Sequence, residues 1–323
     1  MSVERIDQLA RAFQQSRVLL TGVELNVFAA LGTERLGSDE VAERTKTDPR
    51  AMDRLLSALA AMGMIEKKDG LYRNTPSSAR YLDESSPDFI RSMGHLANLF
   101  QDWAYLTDCV KRGESTGDRS RSREETNHFI NAMDYRGGKS AERLLELLDL
   151  TGVNSMLDVG GGSGALSRTF CRSYPQLHAT ILDLPKVTPL TRNFIAQDDM
   201  EDRIDIMEGN FHTANFGSGY DLVLFSAVVH MNSAVENAKL MKKAFAALNP
   251  GGRIAVDDFI MNEQRTEPFF GTLFSLNMLV NTESGDSYTS EEIRDWLEQA
   301  GCTDIKLTAS GPTTSLMIGT KPM

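Results

Sequence analysis

The segment from Ser155 to Leu166, Ser-Met-Leu-Asp-Val-Gly-Gly-Gly-Ser-Gly-Ala-Leu, constrains the fold of this chain more than any other. Its first residues predict a short buried strand, and the residues from Ala165 onwards predict a helix. Glycines between a strand and a helix allow a tight turn and a close approach of a ligand to the main chain. The free N–H groups and the positive dipole end of the helix point at this turn. The segment therefore predicts a nucleotide-like ligand at the carboxyl edge of a parallel sheet.

Two classes of ligand fit this turn. The spacing Gly160-x-Gly162-x-x-Ala165 matches a dinucleotide fingerprint, and Asp183 follows the last glycine at about the distance of a ribose-binding acid. Asp158, however, lies two residues before the first glycine, and a carboxylate so close is unfavourable for a pyrophosphate. It suits a ligand with an ammonium and a sulfonium group, which is S-adenosylmethionine. We favour this methyl donor and keep the dinucleotide as the alternative.

The composition limits the kinds of partner. The chain has 323 residues, enough for two domains, and its 34 basic and 45 acidic residues give a net charge of −11. An acidic protein lacks the positive surface needed for general binding to nucleic acid or to an anionic membrane, so we expect neither partner. This charge favours a small neutral or cationic molecule.

The cysteines and the amino terminus indicate the compartment. Cys109, Cys171 and Cys302 lie far apart and show no metal-binding or redox spacing. The amino terminus has no apolar signal core, and no stretch reaches the length of a membrane span. We therefore predict reduced thiols, no metal site and a cytoplasmic protein.

Residues 1–115 are predicted to form a mainly helical domain. Apolar positions at helical spacing predict one long helix over Gln8–Leu31, and Ser38 is the predicted N-cap of the next helix. Asp48 followed by Pro49 marks the start of a further helix. An Asp-Gly turn between two short segments then predicts a hairpin, which completes a winged-helix arrangement.

A winged helix leaves two functions open. As a DNA-binding domain it would present the helix after Asp48, but there Arg50 and Arg54 are balanced by Asp48 and Asp53. As a packing domain it would bury the apolar first helix against a second copy of the chain. We favour the packing domain and expect a homodimer. A ligand-responsive DNA-binding protein remains the alternative.

The second domain is predicted over residues 116–323, after a polar, glycine-bearing loop at 113–123. From Ser155 onwards, apolar strand segments alternate with helical segments, a pattern typical of an α/β fold with a mostly parallel sheet covered by helices on both faces. The predicted strands lie near 155–159, 179–183, 203–207, 221–227, 253–258, 303–308 and 315–320, and the main predicted helices at 165–174, 186–196, 233–248 and 290–300.

Six motifs together resemble a known family. They are Leu157-Asp-Val-Gly-Gly-Gly-Ser-Gly164, Ile181-Leu-Asp-Leu-Pro185, Glu208-Gly-Asn-Phe211, Val229-His230, Asn249-Pro-Gly-Gly252 and Val23-Glu-Leu-Asn-Val-Phe28. Over nearly its whole length the chain is similar to class I S-adenosylmethionine-dependent O-methyltransferases of the caffeic-acid and hydroxyindole type, including bacterial small-molecule members. The resemblance implies a Rossmann-like seven-stranded sheet preceded by a winged-helix-like dimerisation domain. It also implies S-adenosylmethionine as cofactor, S-adenosylhomocysteine as its product, and a homodimer.

The resemblance also implies a set of residues for the donor site. Gly160, Gly161 and Gly162 would line the methionine part of the donor next to Asp158, and Asp183 would receive the ribose hydroxyls. The remaining implied donor residues are Leu184 beside the ribose acid, Asn210 and Phe211 where the family contacts adenine, and Ser226 where plant members often have lysine.

His230 matches the catalytic histidine of the family, and Asp258 aligns with an acid that orients this histidine. A neutral imidazole with a pKa of about 6.5 can take a proton from a phenol with a pKa of about 10 during methyl transfer. The family continues with Asp-Trp where this chain has Met231 and Asn232, and its second acid falls at Ser287. These departures keep two alternatives open, which are C- or N-methylation and a relative that binds the donor without transferring its methyl group.

The acceptor pocket is expected to be apolar. Phe129 and Met133 align with substrate contacts of the family, and Trp103, Phe274 and Met278 are candidates on flanking helices. Aromatic and methionine side chains around a cavity suggest a flat, ring-bearing acceptor. The resemblance therefore implies methyl transfer to a hydroxyl of an aromatic or polyketide-like small molecule, without a metal.

Overall fold

The chain forms two compact units. The computed structural model describes residues 1–116 and 123–323, so part of the loop predicted at 113–123 lies outside the described residues. The first unit comprises Met1–Gln101 and the second Asp102–Met323. The two units correspond in order and in content to the helical and α/β domains of the sequence analysis.

The division falls earlier in the chain than the predicted boundary after residue 115. Helix Leu106–Arg112 packs against helix Phe269–Asn281, which is part of the second unit. In addition, Trp103 Nε1 donates a hydrogen bond to Asn277 Oδ1 at 2.9 Å. These contacts assign the residues just before the polar loop to the second unit, because their partners lie far along the chain.

The first unit combines helices with a two-stranded sheet. Its helices are α1 Val3–Arg11, α2 Phe13–Glu24, α3 Val27–Leu31, α4 Ser38–Thr45, α5 Pro49–Ala61, α6 Pro76–Tyr81 and α7 Met93–Trp103, and its strands are β1 Ile65–Lys68 and β2 Leu71–Asn74. Asp69 and Gly70 join the strands with φ angles of 53° and 79°, the left-handed turn that an Asp-Gly pair predicts. The predicted winged-helix order of helices and hairpin is therefore present.

The single helix predicted over Gln8–Leu31 is wrong, because three helices cover this stretch. The chain breaks first at Ala12, between α1 and α2. It breaks again at Asn26, which adopts a left-handed conformation with a φ angle of 53°. The apolar spacing runs through both breaks, so periodicity alone does not reveal them.

The caps of α4 and α5 test two further predictions. Ser38 is the first residue of α4 and not its N-cap, which is Gly37. Glu40 Oε2 accepts a hydrogen bond from Gly37 N at 2.8 Å, so the acid in the first turn supplies the cap instead. Asp48 caps α5 as predicted, since its Oδ1 accepts a hydrogen bond from Ala51 N at 2.8 Å.

The first unit buries one apolar cluster and leaves one apolar helix face exposed. The buried cluster joins α3, α4, α5 and the hairpin, with Phe28, Leu56 and Tyr72 at its centre. By contrast, the apolar side chains that start the chain keep most of their surface, with exposed fractions of 77% for Val3, 56% for Ile6, 54% for Leu9 and 56% for Phe13. An exposed apolar stripe of this kind is typical of a surface that contacts another protein.

The second unit alternates helices and strands. Its helices are α8 Leu106–Arg112, α9 Arg123–Leu148, α10 Ala165–Ser173, α11 Thr188–Gln197, α12 Ala234–Ala247, α13 Phe269–Asn281 and α14 Ser290–Ala300, with a short 3-10 helix at Val229–Met231. Its strands are β3 Ser155–Val159, β4 His178–Asp183, β5 Ile204–Glu208, β6 Tyr220–Ser226, β7 Leu248–Asp258, β8 Thr303–Ala309 and β9 Ser315–Thr320. All seven strands predicted for this domain are confirmed, with small differences at their ends.

These strands form one sheet in the order β5-β4-β3-β6-β7-β9-β8. The five strands from β5 to β7 are parallel, and β9 is antiparallel to both β7 and β8. The predicted Rossmann-like fold with a hairpin-like last pair is confirmed. The strand order reverses beside β3, so the carboxyl ends of β3, β4, β6 and β7 open a crevice at the position where such sheets bind ligands.

Both faces of the sheet are buried. Leu157 and Val223 belong to the core cluster on one face, while the adjacent Met156 and Leu224 belong to the cluster on the other. Because successive residues of a strand point to opposite faces, burial on both sides requires nearly continuous apolar runs. The central strands have such apolar runs. The first polar residues after each run mark the strand ends at which the site lies.

Two other predictions concern the cysteines and membranes. Cys109, Cys171 and Cys302 are free and buried, in agreement with the predicted reduced thiols. Within residues 1–116 and 123–323, the helices are too short or too polar to cross a lipid bilayer.

Candidate active site

The glycine segment turns the chain from β3 into α10. Gly160, Gly162 and Gly164 adopt φ angles of 69°, 58° and 75°, a region that residues with a side chain rarely adopt. Gly161 has no room for a side chain, because a Cβ atom there would lie 2.7 Å from Asp158 Cγ. The turn therefore requires three glycines for their backbone conformation and one for close packing.

Asp158 lies beneath this turn and is only 2% exposed. Ser167 Oγ on α10 donates a hydrogen bond to Asp158 Oδ2 at 2.7 Å. Burial raises the pKa of Asp158 to about 6, an effect that the Ser167 hydrogen bond opposes and the nearby Asp183 increases. A buried carboxylate of this kind attracts a cationic ligand, because the ligand's charge compensates its own.

Asp183, at the end of β4, holds the glycine turn from the other side. Its Oδ2 accepts a hydrogen bond from Gly162 N at 2.8 Å, and its Oδ1 accepts one from Leu184 N at 2.7 Å. Thr191 Oγ1 donates to Gly162 O at 2.6 Å, which ties the same glycine to α11. Burial raises the pKa of Asp183, and the two backbone hydrogen bonds partly offset this. Each carboxylate oxygen keeps a second lone pair, so the two oxygens can still accept hydrogen bonds from a diol.

These residues fit the methyl donor and oppose a dinucleotide. Asp158 and Asp183 place two carboxylates beside the turn, where a pyrophosphate would add negative charge and a sulfonium or ammonium would neutralise it. The turn carries no side chain at Gly160, Gly161 and Gly162, so that a ligand can approach its backbone. Leu184 and Phe211 line the adjoining cavity and offer apolar surface to a ring.

Two implied donor residues are engaged in local contacts. Asn210 is exposed and is not among the described residues that line the cavity, and its Oδ1 accepts a hydrogen bond from His212 N at 2.9 Å. Ser226 lines the cavity, and its Oγ donates to Asp257 Oδ2 at 3.2 Å. The structure therefore places Ser226 in the cavity wall beside Asp257 and leaves Asn210 at the surface.

A histidine and a carboxylate meet at the carboxyl ends of β6 and β7. His230 Nδ1 lies 2.8 Å from Asp258 Oδ1 and 3.0 Å from Oδ2, and both side chains are buried. Phe259 N donates a further hydrogen bond to Asp258 Oδ1 at 2.8 Å. Because a carboxylate only accepts, Nδ1 carries the proton and Nε2 keeps its lone pair. Within the described residues Nε2 has no hydrogen-bond partner.

A cavity of about 450 Å³ extends between the glycine turn and this pair. Its volume falls in the usual range of small-molecule sites, roughly 300–1,000 Å³. His230 is not itself in the wall, although its neighbour Met231 and its partner Asp258 are. The tip of the β8–β9 hairpin, residues 312–314, also contributes to the wall. One space thus adjoins the glycine turn, Asp183, and Asp258, the partner of His230.

The structure separates the predicted acceptor residues into two groups. Phe129 and Met133 line the cavity from α9, whereas Trp103, Phe274 and Met278 are not in its wall. The ring of Phe274 packs edge-on against the imidazole beside the cavity, with centroids 4.8 Å apart. Met278 is buried, and the indole of Trp103 is held by the hydrogen bond to α13. Phe274 therefore borders the imidazole, whereas Trp103 contacts α13 and Met278 lies on it, both outside this cavity wall.

Comparisons with known proteins decide between the ligand classes. A family model described as the O-methyltransferase domain matches residues 103–303, and one described as the O-methyltransferase dimerisation domain matches residues 7–84. The chain belongs to the O-methyltransferase family. As a member, it is an S-adenosylmethionine-dependent methyltransferase that acts on a small-molecule acceptor, and its cofactor is not a nicotinamide dinucleotide.

Similar proteins cover the whole chain. The tetracenomycin polyketide synthesis 8-O-methyl transferase TcmO of Streptomyces glaucescens is 33% identical over 98% of this chain and 96% of its own. A 3-hydroxy-5-methyl-1-naphthoate 3-O-methyltransferase of Streptomyces sahachiroi is 32% identical over 93% and 90%. The solved structure of human N-acetylserotonin methyltransferase in complex with SAM superimposes with a TM-score of 0.86 at 26% identity, over 99% and 97%.

This O-methyltransferase departs from the family pattern directly after His230, and the structure gives the departure a packing role. Asn232 is buried, and its Nδ2 donates a hydrogen bond to Asn237 Oδ1 at 3.0 Å. Tyr288 Oη donates to Asn232 O at 2.5 Å. The adjacent Met231 reaches the cavity wall. The 3-10 helix is thus held from two sides without the Asp-Trp pair.

Among the described residues, no other carboxylate takes the place of the second acid of the family in this O-methyltransferase. Ser287 is buried at the position that aligns with it. The carboxylate of the neighbouring Asp286 accepts hydrogen bonds from Arg265 Nη1 at 2.9 Å and from Ser275 Oγ at 2.5 Å. Asp286 contacts His230 only through its backbone, since its N donates to His230 O at 3.0 Å. The imidazole is therefore oriented by one carboxylate, that of Asp258.

The loop before Asp286 touches the backbone of His230. A Cβ atom on Gly285 would lie 2.3 Å from His230 O and 2.6 Å from Thr282 Oγ1. Gly285 N donates a hydrogen bond to the same Thr282 hydroxyl at 2.9 Å. Only a residue without a side chain allows this loop to close on the 3-10 helix.

Five charged residues of the cavity wall were not identified from the sequence, namely Arg136, Lys139, Arg143, Lys186 and Asp257. Arg136 lies on α9 three residues after Met133 and seven after Phe129, so the helical repeat could have found it. Asp257 precedes the histidine's partner on β7, and burial raises its pKa to about 6. Ser310 Oγ donates to Asp257 Oδ1 at 2.5 Å and so fixes the base of the hairpin that ends in the cavity wall.

The sequence predicts that no metal is bound. The part of the chain that the structure describes holds no cluster of three or more histidine, cysteine or acidic side chains with the geometry of a metal site.

Proposed function

We propose that this O-methyltransferase methylates a hydroxyl group of an aromatic small molecule and that His230 is the general base. The observation that carries the proposal is the buried His230–Asp258 pair, whose Nε2 is left without a partner within the described residues. It lies beside a cavity that also reaches the two donor-side carboxylates, Asp158 and Asp183. The pair therefore stands where an acceptor hydroxyl and the donor would meet.

The chemistry of the proposed base follows from its hydrogen bonds. Nε2 can accept the hydroxyl proton, because Nδ1 already donates to Asp258. The imidazolium that forms is stabilised by the same carboxylate, which is 3% exposed and only weakly screened. A positioned base of this kind typically contributes about 10²–10⁴ in rate. The proton thus moves from the acceptor oxygen to His230 as the oxygen–methyl bond forms.

The donor, when bound, supplies an electrophilic methyl group on a sulfonium, and the sulfur leaves with the electron pair of the broken bond. In the proposed site, Asp158 attracts the positive charge of the donor, and Asp183 accepts hydrogen bonds from its ribose. Gly160, Gly161 and Gly162 allow the close approach of its methionine part. Much of the remaining rate enhancement would come from holding the acceptor oxygen in line with the bond that breaks.

Two observations support an aromatic acceptor. The acceptor side of the cavity is lined by Phe129, Met133, Met231 and Phe259, a mixture of flat and adaptable apolar side chains. The relatives described above include a polyketide and a naphthoate O-methyltransferase. Both point to a fused or single aromatic ring that carries a hydroxyl.

Isotopic labelling tests the reaction class. The protein is incubated with methyl-¹³C-labelled donor and a panel of hydroxylated naphthalenes, anthracyclinones and indoles, and the products are analysed by carbon NMR. A methoxy signal on the acceptor is expected. A labelled methyl group on carbon or nitrogen would support the alternative chemistry and contradict the proposal, as would the absence of transfer to every compound.

We further propose a homodimer that buries the exposed face of α1. The match to a dimerisation domain and the apolar stripe of Val3, Ile6, Leu9 and Phe13 support it. Sedimentation or light scattering is expected to give twice the chain mass for the natural protein and the chain mass for the variant Ile6→Glu/Leu9→Glu. A dimer that survives this double substitution would contradict the assigned face.

A further inference from the structure

Arg136 is a cation inside the cavity of an acidic protein. It projects from the same face of α9 as Phe129 and Met133, and its guanidinium Cζ lies 5.4 Å from the ring centroid of Phe259. Phe259 directly follows Asp258, and its ring centroid lies 6.1 Å from that of the imidazole of His230. The guanidinium therefore stands at the carboxyl end of β7, on the acceptor side of the cavity.

The N–H groups of Arg136 remain available to a ligand. Among the described residues no oxygen accepts a hydrogen bond from its guanidinium. The two nearest acids, Asp257 and Asp258, are occupied by other donors. Asp258 binds the imidazole of His230 and a backbone N–H, and Asp257 binds two serine hydroxyls. Arg136 is thus near two carboxylates without forming an ion-pair hydrogen bond with either.

Arg136 lies in the cavity wall and remains exposed, and its charge has no hydrogen-bond acceptor among the described residues. Partial burial of the guanidinium lowers its pKa, which the nearby Asp258 and Asp257 partly offset. An anionic ligand group would supply the missing hydrogen-bond acceptors. A carboxylate matches the planar fork of a guanidinium with two parallel hydrogen bonds, and such bonds are roughly twice as strong as those between neutral groups.

We propose that Arg136 binds a carboxylate on the acceptor, so that the substrate class is a hydroxyaryl carboxylic acid. The inference rests on the proposed function, since it names the acceptor of that same reaction. With the hydroxyl at His230 and the carboxylate at Arg136, the ring is held at two points. This would select which hydroxyl of a polyhydroxylated ring is methylated.

The position of Arg136 in the sheet favours the acceptor over the carboxylate of the donor. The glycine turn follows β3, whereas Phe259 and Asp258 follow β7, two strands further along the order β3-β6-β7. Neighbouring strands are about 4.8 Å apart, so the two ends are separated by roughly 10 Å. The guanidinium of Arg136 stacks on Phe259 at the end of β7, away from the end of β3.

Equilibrium binding tests the inference without requiring turnover. The protein is saturated with S-adenosylhomocysteine and titrated by calorimetry with 3-hydroxy-1-naphthoate and with 3-hydroxy-1-naphthamide, which differ only in the charge of one group. The natural protein is expected to bind the carboxylate at least about tenfold more tightly, as a charge-assisted bidentate pair implies. Arg136→Gln should lose this preference, and Arg136→Lys should recover part of it because the charge is kept.

Lys242→Gln is the matched control. Lys242 is an exposed cation on α12 outside the cavity wall, so its removal changes the net charge equally but should leave the preference unchanged. Chemical denaturation of Arg136→Gln checks that the variant is folded.

Three results would overturn the inference. They are equal affinities of the natural protein for the two naphthalenes, no binding of the carboxylate at millimolar concentration, and an unchanged preference in Arg136→Gln. A loss of S-adenosylhomocysteine affinity of more than about tenfold in Arg136→Gln would assign the guanidinium to the donor carboxylate instead. Failure of the proposed function looks different, since the labelled methyl group would then appear on carbon or nitrogen while the carboxylate preference persisted.

Discussion

The two halves of the cavity are built by different means. The donor half, formed by Asp158, the glycine turn and Asp183, depends on main-chain geometry, with positive φ angles, backbone N–H donors and no space for a Cβ atom. The acceptor half is built from side chains, namely the His230–Asp258 pair and the aromatic, methionine and arginine residues around it. A main-chain site recognises one ligand and tolerates little change. A side-chain site can be altered residue by residue, which suits a family whose members share a donor and differ in acceptor.

The largest effect is expected from His230, the general base that we propose for the acceptor half. Replacing His230 by Gln should reduce kcat by about 10²–10⁴, since the general base is lost. The affinity for S-adenosylhomocysteine should change little, because the donor half is intact. Stopped assays and calorimetry measure the two quantities.

A control histidine sharpens this test. His178→Gln alters an exposed histidine at the amino end of β4, away from the cavity, and should leave kcat unchanged. If His230→Gln lost donor affinity as strongly as kcat, the separation of the two halves would be contradicted.

The donor half should respond to a single added methyl group. In Gly161→Ala, the new Cβ would lie 2.7 Å from the Asp158 carboxylate, which is buried and held by Ser167. Overpacking of this kind costs roughly 1–3 kcal/mol, so affinity for S-adenosylhomocysteine should fall about 10- to 100-fold. In Gly138→Ala, a Cβ atom would meet nothing within 4 Å on α9, and the variant should bind normally and gain roughly 0.5–1 kcal/mol of helix stability. Equal affinities of the two variants would show that the turn is not tightly constrained.

Asp158 links the donor half to pH. Its pKa is about 6 in the folded chain, above the unfolded value of 3.8, so the folded state binds its proton more tightly. Stability is therefore lost as pH rises from about 4 to about 6, by on the order of 3 kcal/mol for this group. Asp158→Asn should be more stable than the natural protein at pH 7.5 and bind S-adenosylmethionine more weakly. In the natural protein, donor affinity should fall up to about tenfold per pH unit below 6.

Asp221→Asn is a control for the pH experiment, because its expected effect on stability at pH 7.5 has the opposite sign to that of Asp158→Asn. Asp221 lies at the amino end of β6; burial acts to raise its pKa, but hydrogen bonds from Asn249 and from the backbone of Asn154 and Ser155 lower it overall. Its ionised form stabilises the fold above its unfolded pKa, and this is lost as pH falls. The substitution should therefore destabilise the protein at pH 7.5. Urea titrations between pH 4 and 8 compare both variants, and a destabilised Asp158→Asn would contradict the expected sign.

The smallest effect is expected from a volume-conserving change in the acceptor half. Met133→Leu keeps the size of an apolar wall residue, and such replacements usually cost less than about 1.5 kcal/mol. The acceptor KM should change by less than about tenfold, with donor affinity unaffected. If Met133→Leu weakened acceptor binding as much as Gly161→Ala is expected to weaken donor binding, the distinction between a rigid and an adjustable half would be contradicted.

The sequence was informative where one physical requirement dictates the residues. Strands buried on both faces need apolar runs, so the sheet from β3 to β9 could be predicted with small errors at its ends. The glycine turn, Asp158 and Asp183 could be found because a sharp turn at a strand end limits the choice of residues. The roles of His230 and Asp258 came from a resemblance, and their pairing at 2.8 Å agrees with the orientation it implied.

Long-range packing set the limits of prediction. Gly137 and Gly138 look like a helix break, yet α9 runs through them, because a Cβ atom on Gly137 would lie 2.8 Å from Ala165 Cβ on α10. The glycine serves helix packing, which no local pattern reveals. The continuous helix also places Arg136 in the cavity wall. Trp103, Phe274 and Met278 are not among the residues that line this cavity, and their contact with the acceptor stays a prediction, because hydrophobicity alone does not distinguish a lining residue from a core residue.

The contact between Gly285 and the main chain of His230 has a consequence for engineering. Variation of the 282–287 loop is an obvious way to alter the acceptor half, because the loop contacts the main chain of His230. At residue 285, however, any methyl group would collide with the carbonyl that precedes Met231 and displace the base itself. Libraries that keep this glycine constant should therefore retain many active clones, whereas those that randomise it should yield folded proteins without turnover.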